Sequence, residues 1–399
     1  MTSRDRRLER LARLAVEVGA SVQPGQVVGV SGRPGHEDLV RAVARAAYRR
    51  GARFVDVSWF DPHVKLARLE HAAEDTLDWV PPWYGARMLQ LGELGGANIA
   101  LAGPTAPGLL DALDPARAGR DRLPSVREGI EVIMAAKVNW TVVPCPTPAW
   151  ARLVHPDLDA EAALARLWDE IAHVCRLDED DPTAAWRARA RELSDTARRL
   201  TDRRLRALRL VGPGTDLTVG LLAGSRWVGG LDARADGLEH LPNIPTEEVF
   251  TTPDPALTEG VVGATRPLDV GGTVVHGLRV RFAGGRAVEI TADSGAEVLR
   301  ARAAVDDGAC RLGEVALVDG SGRIGPLGTV FFDTLLDENA TSHVALGAGY
   351  PKGAGPDDAA RINHSEIHID FMVGGPDVTV LGVDAAGAES PVLEGGSWR

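Results

Sequence analysis

Two periodicities of apolar residues divide the chain. In the first part, short apolar runs alternate with helical stripes: QVVGV (26–30) follows a Pro-Gly turn, EDLVRAVARAAYRRG (37–51) is amphipathic up to Gly51, and RFVDVSW (53–59) comes next. That order predicts a β-α-β unit with a parallel strand pair. NIALAG (98–103) and WTVVPCP (140–146) add two strands, each bounded by turn residues. From 147 to 204 the spacing is helical throughout: PAWARLV, AEAALARLWDEIAHVCRL and PTAAWRARARELSDTARRL. After about residue 205 the pattern turns to strands, with LRLVG, DLTVGLL and GVVGATRPL ahead of a hairpin over 273–295 that turns at Gly284-Gly285. A helix, GAEVLRARAAV (295–305), separates this from a Gly-rich final hundred residues. The expected fold is α/β plus α+β. An N-terminal α/β domain (1–146) with a largely parallel sheet leads through a helical connection (147–204), which packs with either domain, to a mixed β-rich domain (205–399).

Composition narrows the function classes. The formal net charge is −12, whereas nucleic-acid binding needs a concentrated basic surface. The basic stretch between Arg187 and Arg209 is interleaved with acids, so it reads as a solvated helix face laced with ion pairs. MTSRDRRLERLARLAVEVG places Leu8, Leu11, Leu14 and Ala15 on one stripe and lacks the apolar core of a signal peptide. No run is apolar enough over 18 residues to span a membrane. Cys145, Cys175 and Cys310 are scattered and fit neither a disulfide framework nor a structural zinc site. A cytoplasmic protein is expected. The loop SGRPGHED (31–38) matches neither GxGxxG nor GxxxxGK[ST].

Chemistry gathers in the second half. LPNIPTEEVFTTPDP (241–255) holds four prolines in fifteen residues, which predicts a stiff, irregular loop around Glu247 and Glu248. In INHSEIHIDFMVGG (362–375), His368 and Asp370 are two apart, so an extended chain projects both from one face. His364 and Glu366 would share that face, and spacing does not choose among the four. DENATSHVALGAGYPKG (337–353) supplies His343 and Tyr350 among small residues, and LGEVALV (312–318) puts Glu314 at the head of an apolar run. Buried there, a carboxylate needs a cation, a hydrogen-bond network or a raised pKa. Glu248, Glu314, His343, His368 and Asp370 form a set of two imidazoles and three carboxylates without thiolate. Such a set suits a pair of divalent ions, although spacing alone does not single out these five.

NIPTEEVFTTP (243–253), LGEVALV (312–318), LDENATSHVALGAGYP (336–351) and NHSEIHIDFMVG (363–374), in that order, resemble the thermophilic aminopeptidase family, the M29-type metallopeptidases. PCPTPAWA (144–151) is similar to a further family block, so the resemblance covers nearly the whole chain. It implies a two-metal site in the C-terminal domain (Zn, Co, Mn or Mg) with Glu248, Glu314, His343, His368 and Asp370 as ligands and Tyr350 beside them. It also implies peptide substrates with a free N-terminus, a homodimer, and neither nucleic acid nor membrane as partner. Within it, Glu314 is read as a bridging ligand coupled to proton transfer, with Glu247 as helper and Tyr350 as donor to the oxyanion. Two rivals remain: an Fe(II) ring-cleaving dioxygenase of the similar hydroxypyridine-cleaving type, and an inactive metal-binding homologue.

Overall fold

The computed structural model describes residues 3–399 apart from 111, 115, 116, 118, 119, 122, 125, 271 and 272. Its chain forms two compact units. One comprises residues 1–188 and 231–245, the other 189–230 and 246–399. Against the expected boundaries at 146 and 204, the change of unit falls inside the third connecting helix, Pro182–Asp202 (α1), and the segment 231–245 belongs to the first unit.

The first unit is α/β. Strands β1 (Val27–Gly32), β2 (Phe54–Trp59), β3 (Ala97–Ala102) and β4 (Asn139–Pro144) form a sheet in the order β2-β1-β3-β4. Every pairing is parallel, as connections through helices require. The helix Glu37–Arg49 returns the chain from β1 to β2 and buries Leu39, Val40, Ala42, Val43 and Ala47, its apolar stripe.

The second unit is antiparallel and β-rich. Five strands, β5 (Val228–Gly229), β6 (Glu248–Thr251), β7 (Leu312–Val318), β8 (His343–Gly347) and β9 (His368–Met372), lie in the order β9-β8-β7-β6-β5. An eight-stranded sheet contains Arg279–Ala283 and Arg286–Thr291, joined at Gly284-Gly285 with both glycines at positive φ. Thr273–Val275, expected within that hairpin, instead pairs with Leu268–Val270. Val249, Val315, Leu317, Val344, Leu346 and Phe371 from the smaller sheet share one core with Leu208, Leu217, Val262, Val280 and Val380 from the larger. Burying a Val or Leu side chain stabilises by roughly 1.5–3 kcal/mol, so this apolar face fixes the five-stranded sheet and leaves its other face free for chemistry.

The proline-rich segment departs from the expectation of an irregular loop. Its middle, β6, is an interior strand paired with β7 on one side and β5 on the other. The prolines lie outside β6, where their missing N–H would break the pairing: Pro245 precedes it, and Pro253, opposite Leu221, starts the next strand ahead of an irregularity. Among the described residues, no helix is long and apolar enough to cross a membrane.

Candidate metal centre

Register decides which side chains meet. Directly opposed residues in a sheet share a face, and the face alternates along each strand. Phe250 pairs with Ala316, Ala316 with His343, and His343 with Met372; two residues away, Glu314 pairs with Ala345, and Ala345 with Asp370. Gly347 opposes His368. Glu248, Glu314, His343, His368 and Asp370 therefore project from one face, opposite the apolar core. Small residues (Ala316, Ala345 and Gly347) stand between the long polar ones and leave room in the middle.

One irregularity puts Glu314 there. Leu312 pairs with Leu346 on the core face, yet Glu314 pairs with Ala345 on the polar face, so the strand carries an extra residue at Gly313. Without that bulge, residues 312 and 314 would point the same way; bulges commonly re-aim a side chain next to a site. A Cβ at residue 313 would stand 2.3 Å from the carbonyl oxygens of Gly347 and Ala348, which only glycine avoids.

The gathered atoms form two groups with a common member. Glu248, Glu314 and His343 bring one ligand atom each within 4.8 Å of one another, and so do Glu314, His368 and Asp370. His343 Nε2 lies 3.1 Å from Glu248 Oε2 and 3.8 Å from Glu314 Oε1. His368 Nε2 lies 3.3 Å from both Glu314 Oε2 and Asp370 Oδ1. Each imidazole turns its other nitrogen to a backbone carbonyl: His343 Nδ1 to Thr341 O at 3.3 Å, and His368 Nδ1 to Ala348 O at 2.8 Å. Donation from Nδ1 leaves the Nε2 lone pair pointing into the cluster, the arrangement found at histidine metal ligands.

The electrostatics show an excess of negative charge. Burial alone would depress both imidazoles, but Glu248 and Glu314 beside His343, and Asp370 and Glu314 beside His368, push each well above its ordinary value. Burial raises Glu248, helped by Glu314 and Asp370 and opposed by His343. Glu248 Oε2 is buried and accepts no hydrogen bond of good geometry despite its closeness to His343. A divalent cation would satisfy that oxygen and offset the clustered carboxylates, so this donor set fits metal ions.

Tyr350 stands beside the cluster. Its ring meets Phe250 edge-on, with centroids 5.6 Å apart, and lies 4.9 Å from the His368 ring. Burial and the nearby carboxylates, Glu314 first, push its phenol well above the ordinary value, so it is a protonated hydrogen-bond donor at neutral pH.

Glu247 goes elsewhere. It immediately precedes β6, and its fully buried carboxylate meets Arg189 Nε at 2.7 Å. The sequence suggested a helper at the reacting centre; the structure pairs Glu247 with Arg189 and does not bring it into the group of five. Arg189, read from sequence as part of a solvated helix face, is buried; it also bonds Asp319 Oδ1 at 3.1 Å and Ser321 Oγ at 3.2 Å. His364 and Glu366 precede β9 and are exposed. A residue missed from sequence is Glu338: burial and the charges of Glu248 and Asp370 raise it well above its usual range, and it lines a small cavity with Asp370. Its place in the DENATSH block, five residues before His343, was the available signal.

Residues 4–398 match the model of the thermophilic metalloprotease (M29) family. Aminopeptidase T of Thermus thermophilus is 42% identical over 98% of both chains, and aminopeptidase 2 of Geobacillus stearothermophilus is 36% identical over 99% of this chain and 98% of its own. Aminopeptidase AmpS of Bacillus subtilis is 35% identical over the full length of both. The solved structure of wild-type AmpT from Thermus thermophilus superposes with a TM-score of 0.91, covering 98% of this chain and 99% of that one. The chain thus belongs to the thermophilic metalloprotease (M29) family.

Proposed function

We propose that the protein is an aminopeptidase that releases N-terminal residues from peptides at a centre holding two divalent cations, each Zn, Co, Mn or Mg. The observation that carries this reading is Glu314, whose two carboxylate oxygens reach one toward His343 (3.8 Å) and one toward His368 (3.3 Å). A carboxylate so placed would be shared between two ions. Glu248 and His343 would complete one site, His368 and Asp370 the other. When bound, such ions lower the pKa of a water and polarise a substrate carbonyl.

The chain's own residues do the rest. The carboxylates attract the positively charged amino end of a peptide. Tyr350 donates from its protonated hydroxyl to the oxygen that becomes negative in the tetrahedral transition state. Glu314 takes part in moving the water proton to the leaving amine. Glu338, in the same cavity as Asp370, takes over the helping part first assigned to Glu247. Assembly as a homodimer belongs to the same reading and rests on the family resemblance; a cytoplasmic location is proposed beside it.

The test pairs metal content with cleavage of leucine p-nitroanilide and its N-blocked counterpart. Two Zn, Co, Mn or Mg per chain and cleavage of the free-amine substrate alone are expected. One Fe per chain without amidase activity would favour the ring-cleaving oxygenase instead, a reading weakened by the aminopeptidase names of the relatives above. Metal binding with no turnover of any substrate would favour an inactive homologue.

A further inference from the structure

Beside the candidate centre, β9 is the last strand of its sheet. Ile367 O accepts from Ala348 N (2.7 Å), and Val373 N donates to Ser342 O (2.9 Å). In an antiparallel ladder the bonded residues alternate. Residues 367, 369, 371 and 373 thus turn their backbone groups toward β8, and His368, Asp370 and Met372 turn theirs outward. Met372 O is used by Thr265 N at 2.8 Å. The outward N–H and C=O groups of His368 and Asp370 have no recorded partner among the described residues. They open onto a cleft of about 350 Å³ lined by Val270, Arg302, Thr334 and the edge from Glu366 to Asp370. Arg302 ends the helix Ala296–Arg302 and is half-buried, and no ion pair of its guanidinium is found among the described residues.

We propose that this cleft is a substrate subsite in which the peptide main chain pairs with the open edge of β9 and Arg302 receives a substrate carboxylate. The assignment deepens the aminopeptidase reading and rests on it. Strand addition to an exposed edge gives affinity through main-chain bonds without demanding particular side chains. Charge adds direction. A short peptide is a zwitterion whose amino end suits the carboxylate-rich centre and whose other end suits a cation, and guanidinium binds carboxylate through two parallel N–H···O bonds. Glu366 lines the same wall, with its backbone N–H held by Asp306 Oδ2 at 2.8 Å, and limits how far the cleft favours anions over neutral groups.

The experiment compares Leu-Gly with Leu-Gly-amide, and Leu-Glu-amide with Leu-Gln-amide, on the wild-type enzyme and on the Arg302→Gln and Arg302→Lys variants, each checked for unchanged metal content. The wild type is expected to favour the carboxylate member of one pair by about tenfold in kcat/KM, chiefly through KM. Arg302→Gln removes that preference while its rate on the neutral member persists, and Arg302→Lys keeps part of it. The favoured pair tells whether the carboxylate is the peptide terminus or an acidic side chain. An unchanged preference in Arg302→Gln, or an equal loss on all four substrates, overturns the subsite and leaves the peptidase reading intact. Failure of the wild type to cleave any of the four overturns both.

Discussion

Arg189 offers the sharpest test of how the metal face is built. Its guanidinium joins Glu247, the residue before Glu248, to Asp319, the residue after β7. Those two ends sit side by side, because Glu248 pairs with Val318. From the far side, Asn339 accepts the Glu247 N–H at 2.7 Å and donates to Leu335 O at 3.0 Å, tying the segment that carries Glu338 to the same point. Replacing Arg189 by Met keeps the stem's packing and removes the cation. Glu247 is then a fully buried carboxylate without its guanidinium, and breaking a buried pair in this way costs about 3–5 kcal/mol. For a unit of about this size the midpoint should fall by roughly 10 °C. The assay is thermal unfolding of Arg189→Met, Glu247→Gln and the double variant, with metal content measured on each. The double variant should recover more than about 1 kcal/mol relative to the sum of the single losses. Additive losses, or a loss below about 1 kcal/mol in Arg189→Met, would refute the clamp.

Other outcomes follow from the same geometry. Glu314→Gln should lower turnover by about 10³-fold or more and reduce bound metal below two per chain; near-normal kcat with both ions retained would remove Glu314 from its assigned role. Tyr350→Phe should lower kcat about 100-fold with metal content unchanged, the usual cost of losing an oxyanion donor, whereas a change confined to KM would mark it as a binding residue. Chelation should abolish activity and lower the unfolding midpoint of the β-rich unit, and added Zn²⁺ or Co²⁺ should restore both, since ligands of the native state stabilise it by mass action. In the first unit, His36 is fully buried, and burial first, then Arg33, depress its imidazole from 6.5 to about 4. The unfolded chain takes up this proton below about pH 6.5 and the native chain only near 4, so His36 subtracts stability progressively across that window, by about 3 kcal/mol in total, and nothing above it. Unfolding midpoints of wild type and His36→Asn, compared between pH 4 and 8, should run parallel above about pH 6.5 and separate below it, with the wild type losing more.

How much of this was legible depends on whether the information is periodic. The parallel strands and the amphipathic helix 37–51 announced themselves through spacing, because each buries one face against its neighbours. The donor residues were legible by type and by family blocks, and the period-2 rule already put His368 and Asp370 on one face. Three things were hidden. The prolines around Glu248 suggested a loop, since composition does not reveal that all four lie outside the paired residues 248–251; an interior strand of four residues is too short to show its own period. The division of labour between Glu247 and Glu248 was hidden for a related reason. Glu248 opens β6 on the face that carries Glu314, whereas Glu247, just before the strand, turns to Arg189. That buried cation comes from a helix whose remaining arginines are mostly exposed. No local pattern marks one arginine in such a helix as buried, because what buries it is a carboxylate 58 residues away. The bulge at Gly313 is hidden in the same way: LGEVALV reads as an uninterrupted apolar strand with one misplaced acid, and only pairing with β8 shows that the extra residue turns that acid toward the two histidines.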